Sequence, residues 1–306
     1  MEKKLILSLV LFTWVVLTIA QIPQVSKGKI ERIDSFPSQF VTPRNIDVWL
    51  PEGYSAKKKY AVLYMHDGQM LFDANTTWNK QEWGVDETMS QLLESGKIKN
   101  TIVVGIWNTG KLRRSEYFPQ KAFDLLTENQ KDTILNPPSG KLFFEANIQS
   151  DNYLKFLVQE LKPYIDKKYA TLKNKNNTFI AGSSMGGLIS LYALCEYPDV
   201  FGGAACLSTH WIGGFTDKNN PIPQAIMQYL EKKLPNPKNN KIYFDTGTAT
   251  IDAFYPPYQK QVDEIMRKKG FQSNVNWITQ VFEGEPHNEN AWKKRLHIPL
   301  TFLLKK

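Results

Sequence analysis

Histidine and cysteine are the scarcest reactive residues of this chain, four and two among 306 positions. Two cysteines, Cys195 and Cys206, rule out the dense disulfide framework on which small exported domains depend. No CxxC and no Cys/His spacing is present, so the sequence offers no zinc-binding pattern. Internal repeats and long low-complexity runs are also missing, which argues against a solenoid or a flexible second module. Charge of one sign is not concentrated. The formal net charge is +8, yet the lysines are scattered, and a cluster such as KKK at 57–59 is bounded by turn residues. Such lysines read as solvated surface, and nucleic-acid binding is set aside on that ground.

Long hydrophobic runs are absent except at the start. In MEKKLILSLVLFTWVVLTIAQ, two lysines precede an apolar run over residues 5–20, and a polar stretch containing proline follows. That is the pattern of a secretory signal peptide over 1–20, removed before Gln21. The run falls short of the ~20 residues a membrane span requires. The expectation is a secreted or periplasmic protein with no stable membrane insertion after cleavage. Export permits a disulfide, but Cys195 falls on a predicted helix and Cys206 on a predicted buried strand, so both read as buried thiols.

What remains is 42% apolar and 22% charged over the whole chain, enough to bury a large core without staples. Short apolar runs rich in β-branched and aromatic residues lie at 45–50, 60–68, 101–108, 177–183, 202–209, 241–247 and 275–284. Most are continuous rather than alternating, as parallel strands covered on both faces are. Helical patterns lie between them. One starts at Trp83; another places Leu154, Leu157, Leu161 and Ile165 on one face; a last one contains Pro299, which predicts a kink. This alternation predicts one α/β domain over 25–306, with a mostly parallel central sheet and helices on both faces. Residues 109–150 have no strong period and read as an excursion over the top of the sheet, a lid or a substrate wall.

In such sheets the chemistry sits outside the carboxyl ends of the strands. One strand ends there in TFIAGSSMGG, where Gly182, Ser184 and Gly186 match G-x-S-x-G between a strand and a helix. That is the setting of a nucleophile elbow, with Ser184 as nucleophile and the N–H of Met185 as one oxyanion donor. Ser183 lacks a glycine two residues later and is a structural neighbour. A serine hydroxyl needs a base. His287 lies in a Gly- and Pro-containing loop after the last strand and is the expected base; His210 is the alternative, while His66 and His297 are in the wrong place. The acid should follow the strand at 241–247. Asp252, on the loop beyond it, is expected, with Asp245 inside the strand as the alternative. The second oxyanion donor is expected after the strand at 60–68, from the N–H of Gln69 or Gly68. His66 and Asp67 adjoin but have no third partner in the sequence, so no metal and no cofactor is expected. Phe72, Trp78, Trp107, Trp211, Phe254 and Tyr255 fall near strand ends; Trp107, Trp211 and Tyr255 are taken as substrate-binding rings, with packing around loops as the competing reading.

Across about 45–304, the segments VLYMHDGQMLFD, VVGIWNTGKLRRSEYFP, IAGSSMGGLISLYALCEYPDVFGG and GEPHNENAWKKRLHIPLTFLL together resemble the putative-esterase (esterase D-like) branch of the α/β-hydrolases. That branch includes feruloyl and acetyl-xylan esterases, siderophore trilactone esterases and mycolyl-type acyltransferases. The resemblance implies the α/β-hydrolase fold, a nucleophile at Ser184, a base at His287 and an oxyanion donor at Gly68–Gln69. Relatives often carry an acid directly after the Gly-Thr that matches Gly247-Thr248; here that position is Ala249, and Asp252 remains. The implied activity is a secreted serine carboxylesterase acting on a small-molecule or polysaccharide ester, with carbohydrate-linked acetyl or feruloyl esters favoured. An acyltransferase, a siderophore trilactone esterase and a non-catalytic binding protein on the same scaffold are the alternatives.

Overall fold

The structure, a computed structural model, describes residues 21–306. The expected signal peptide at 1–20 lies outside the described residues. Eight strands form one sheet: β1 (Lys29–Phe36), β2 (Arg44–Leu50), β3 (Ala61–His66), β4 (Thr101–Ile106), β5 (Thr178–Ser183), β6 (Gly203–Leu207), β7 (Lys241–Gly247) and β8 (Trp277–Phe282), in the order β1-β2-β4-β3-β5-β6-β7-β8. β1 and β2 run antiparallel to their neighbours, and all pairings from β4 to β8 are parallel.

The central strands are buried on both faces, so their side chains alternate between two cores rather than between core and water. On β3, Val62 and Tyr64 enter one core, while Ala61, Leu63 and Met65 enter the other. The first core is roofed by the helical run from Ser150 to Lys168 and by helices Met185–Glu196, Ile222–Lys233 and Pro256–Lys268. The second is covered by helices Val85–Glu94, Glu289–Arg295 and His297–Leu304. Each fully buried large apolar side chain contributes about 1.5–3 kcal/mol. Cys195 and Cys206 are both free and buried.

Two proline effects shape the frame. The run over Ser150–Lys168 opens into a π-helical stretch at Phe156–Leu161, just before Pro163. Proline has no N–H and crowds the carbonyl four residues back, and the wider turn accommodates it. At the C-terminus the helical pattern breaks at Leu296, and Pro299 has no N–H to offer the carbonyl of Arg295. The break sets Trp292 and Arg295 beneath the carboxyl ends of β6 and β7, where both donate to Ser208.

The excursion at 109–150 is a packed wall. It contains helices Arg113–Tyr117, Gln120–Phe123 and Glu128–Leu135. Phe118, Phe123, Phe143 and Phe144 pack edge to face within it. Glu116 forms a buried bidentate pair with Arg44 of β2, at 2.7 and 2.8 Å.

Candidate active site

Six consecutive positions of the sheet, from β4 to β8, deliver side chains or turns to one edge. Ser184 follows β5 and begins the helix Met185–Glu196 with φ 57° and ψ −122°. This backbone is costly for a residue with a Cβ, on the order of 1–3 kcal/mol, and survives only where its surroundings hold it. Here the Ser184 N–H donates to Leu207 O at 2.9 Å, and the Ser184 carbonyl accepts from His210 N at 3.2 Å. Gly182 is obligatory: a Cβ there would sit 2.7 Å from the backbone of Gly186. As first residue of the helix, Met185 has no intrahelical partner for its N–H.

His287 lies in the loop after β8. Its Nδ1 is 2.5 Å from Asp252 Oδ1, on a 3-10 turn beyond β7. A carboxylate only accepts, so Nδ1 carries the proton and Nε2 keeps its lone pair. The ring is held edge-on between Trp292, with centroids 5.0 Å apart, and Tyr255, at 5.9 Å. Asp252 Oδ2 accepts from Ser208 Oγ and from Gly247 N, both at 2.6 Å. Burial raises the Asp252 carboxyl, but the bonds from His287, Ser208 and Gly247 outweigh it and hold the group below the usual carboxylate range. Asp245 has other partners. It stays inside β7, paired with buried Arg295 at 2.9 Å and accepting from Ser208 N.

Ser184 and His287 line one cleft of about 660 Å³, together with Gln69, Trp78, Asn108 and Arg113. Gln69 sits in a 3-10 turn, Gly68–Met70, directly after β3. Of the two residues expected to supply a donor there, Gln69 lines the cleft; Gly68 is buried against Gly105 of β4, where a Cβ would lie 2.6 Å from that backbone.

The rings expected to hold substrate are elsewhere. Trp211 is a core residue that packs on Phe244 and donates to Gln259. Tyr255 is fully buried, its hydroxyl 2.6 Å from His210 Nδ1. Trp107 donates to Asp47 at 2.7 Å and lies under the guanidinium of Arg32, which ties it to the β1–β2 side. None of the three lines the cleft that holds Ser184, and each is tied to a polar partner, although Tyr255 also packs edge-on against His287. Trp78 is the ring that stands in the cleft mouth, 84% exposed. His210 donates from Nε2 to Gly214 O at 3.1 Å, and burial, then the nearby His287, pushes it down to about 3. It is a neutral brace rather than a base.

Sequence reasoning missed Asn108, Arg113 and Ser208. Asn108 and Arg113 pair with Asp67, 41 and 46 residues away, and Ser208 pairs with Asp252 at a separation of 44. No local pattern marks such pairs. Among the described residues, no group of three or more His, Cys, Asp and Glu is gathered to hold a metal ion.

A hydroxyl on a strained turn and a carboxylate-held imidazole in one cleft are parts that acyl transfer requires. The family model described as "Putative esterase" matches residues 38–302. The chain belongs to the putative esterase family. Membership supports a carboxylic ester hydrolase. An endo-1,4-beta-xylanase/feruloyl esterase of Xylanibacter ruminicola is 25% identical over 278 residues, covering 89% of this chain and 31% of that protein. A siderophore enterobactin esterase of Emericella nidulans is 27% identical over 165 residues, 52% of this chain and 50% of that protein. This chain therefore spans half or less of either relative's length. A solved ferulic acid esterase superposes with a TM-score of 0.65 at 20% identity, covering 91% of this chain and 98% of that one. The shared architecture is the α/β-hydrolase fold.

Proposed function

We propose that this esterase works through Ser184, His287 and Asp252, and that it releases acetyl or feruloyl groups from carbohydrates. The contact that carries the reading is the Asp252–His287 hydrogen bond at 2.5 Å, with His287 and Ser184 in one cleft. Ser184 Oγ attacks the ester carbonyl as His287 Nε2 takes its proton. The N–H groups of Met185 and Gln69 receive the oxyanion. His287 then returns the proton to the departing alcohol, leaving an acyl-enzyme. Water attacks that ester with His287 again as base, and the acid leaves as Ser184 Oγ regains the proton. Asp252 keeps the imidazole in the required tautomer and stabilises the imidazolium.

The carbohydrate assignment is supported by Trp78, exposed in the cleft, with the amide of Gln81 in the same lining. An exposed indole offers a flat apolar face to a sugar ring, and amides match hydroxyl groups. The Xylanibacter relative, by its name, pairs xylanase and feruloyl esterase activities. The apolar run at 5–20 supports export, which would be tested by a mature N-terminus at Gln21.

The test is Ser184→Ala against the native protein, with p-nitrophenyl acetate, feruloylated arabinoxylan fragments and a fluorophosphonate label. The expectation is labelling at Ser184 and loss of turnover in the variant with an unchanged fold. Activity retained in Ser184→Ala would remove the assignment. Appearance of a new ester on an added sugar would make the protein an acyltransferase, and a folded, unlabelled protein would make it a binding module. Preferred hydrolysis of a siderophore trilactone would replace the carbohydrate substrate.

A further inference from the structure

The turn that carries Gln69 is short, closed by one backbone bond of its own, Met70 N to Asp67 O at 2.8 Å. It consists of a 3-10 turn of three residues preceded by Asp67, whose backbone is left-handed at φ 57° and ψ 44°. A left-handed residue costs about 1–2 kcal/mol unless local bonds offset it. The Asp67 side chain makes those bonds. Arg113 grips it on both oxygens, Nε to Oδ1 and Nη2 to Oδ2, each at 2.7 Å. Asn108 Nδ2 adds a third bond to Oδ1 at 2.8 Å. The same Asn108 donates its backbone N–H to Gln69 Oε1 at 3.1 Å. Below, Gly68 rests on the backbone of Gly105; behind, Asp67 Oδ2 lies 3.3 Å from where a Cβ on Gly186 would be. The turn is thus wedged between the end of β4 and the first turn of the Ser184 helix, and Arg113 with Asn108 closes the remaining side.

We propose that Arg113 is a positioning residue for oxyanion binding: through Asp67 it sets the turn at 67–69 so that the Gln69 N–H faces the carbonyl of an ester bound at Ser184. This rests on the Ser184 reading above. It also gives the excursion at 109–150 a role in catalysis, because Arg113 begins the excursion's first helix while Asp67 directly follows β3 and opens the turn Gly68–Met70. Oxyanion donors act only when aimed at the charge that develops, so a turn displaced by a fraction of an ångström loses rate while ground-state binding is little changed. Burial alone would raise the Asp67 carboxyl, and the Arg113 charge and bonds hold it below the usual range, so the pair is ionised at working pH. With two of its nitrogens on Asp67, the guanidinium has a fixed orientation and acts as a strut.

The experiment compares Arg113→Met, Arg113→Lys and Asn108→Ala with the native protein. It measures kcat and KM on p-nitrophenyl acetate, the affinity of an aryl trifluoromethyl ketone that forms a hemiketal on serine, and melting temperature. For Arg113→Met, kcat is expected to fall about 10- to 100-fold, part of the loss seen when a whole oxyanion donor is removed, with KM changed by less than about threefold. Ketone affinity should fall in parallel with kcat/KM. Arg113→Lys should recover part of the loss, since an ammonium pairs with one carboxylate oxygen at a time. Asn108→Ala should show a smaller fall of the same kind. An unchanged kcat in Arg113→Met, or a rise confined to KM, overturns the proposal; the second outcome would make Arg113 a substrate-binding residue. If Arg113→Met does not fold, an unchanged kcat in both remaining variants overturns it equally. A native protein that the fluorophosphonate does not label removes the Ser184 reading itself, and the strut falls with it.

Discussion

Asp252 holds His287, and Asp245, seven residues earlier on the same strand-and-loop segment, holds Arg295 instead. The two carboxylates share Ser208 as an intermediary: its hydroxyl donates to Asp252, and its N–H donates to Asp245. Their chemistry is nonetheless separate. Asp252→Asn keeps the shape but presents an N–H to His287 Nδ1, or forces the other tautomer, which leaves Nε2 protonated and unable to act as base. The expected loss in kcat is about 10³- to 10⁴-fold, with a stable fold. Asp245→Asn leaves the guanidinium of Arg295 buried without a counter-charge. Its expected effect is a stability loss of about 3–5 kcal/mol, with kcat per folded molecule changed far less. Kinetics and urea unfolding on both variants check this. A large kcat loss confined to Asp245→Asn would reverse the two roles.

The bridging hydroxyl has its own prediction. Ser208 Oγ accepts from Trp292 Nε1 at 3.0 Å and from Arg295 Nη2 at 2.9 Å, and it passes its own proton to Asp252 at 2.6 Å. Ser208→Ala leaves Trp292 Nε1 without an acceptor, at about 1–3 kcal/mol, while Arg295 Nη2 keeps its bond to Asp245 Oδ1. It also removes a bond that favours the charged form of Asp252, so that carboxyl holds its proton to higher pH. The expected outcome is that Asp252 takes its proton at higher pH in Ser208→Ala than in the native protein, read from the pH dependence of its carboxyl carbon signal by NMR. A titration that stays in place would show that Oδ2 of Asp252 does not respond to this hydroxyl.

Trp78 separates recognition of the alcohol from the chemistry. Its ring is exposed and makes no hydrogen bond that holds the fold, so Trp78→Ala should leave melting temperature unchanged. Loss of a stacking partner worth about 0.5–1.5 kcal/mol predicts a rise of roughly 2- to 12-fold in KM on sugar-linked esters. With p-nitrophenyl acetate, which has no sugar to stack, KM should be the same as in the native protein. Equal effects on both substrates would place the ring outside the sugar path.

The strands most legible in the sequence are those buried on both faces. The run at 241–247 coincides with β7, and the run at 177–183 differs from β5 by one residue. Both were readable because a parallel central strand, covered on both faces, carries apolar residues in a near-continuous run. β1 escaped for the opposite reason. Its sequence KIERIDSF alternates charged and apolar residues and lies at a sheet edge, with only its final residue buried. Where Ser184, His287 and Asp252 lie, just beyond β5, β8 and β7, was legible from the order of strands, and the roles proposed for them rest on the Ser184→Ala test. The aromatic rings were not legible. Proximity to a strand end does not say which way a ring points, and Trp107, Trp211 and Tyr255 turn towards Asp47, Gln259 and His210. Arg113 and Ser208 were illegible because their partners, Asp67 and Asp252, are brought to them only by the folded sheet.

The remaining prediction concerns stability. His66 and His210 are both buried, and burial pushes each of them down to about 3. His66 keeps a hydrogen bond between Nδ1 and the hydroxyl of Tyr153 at 2.9 Å, and His210 is bonded through both ring nitrogens. In the unfolded chain a histidine takes a proton near pH 6.5. Between that pH and about 3, the unfolded state binds protons that the folded state refuses, so stability falls as pH drops through this window. Each ring contributes at most about 1.4 kcal/mol per pH unit. The lowered carboxyls of Asp67 and Asp252 act in the same direction, but only below their ordinary range near pH 4. Glu87 opposes the trend, because burial beside Asp86 holds it up to about 7 and the folded state then binds the extra proton. The native protein should thus lose stability between pH 6.5 and 5 through its two buried histidines, opposed by Glu87 and by Asp245 and Asp263, whose carboxyls burial also raises. His210→Gln, which cannot titrate, should reduce the slope of that loss by the share of one histidine whatever it does to absolute stability. Urea unfolding at half-unit steps of pH measures it. An identical slope in the two proteins would mean that His210 gains its proton in the folded state as readily as in the unfolded one, and that its ring is not the neutral brace behind Ser184.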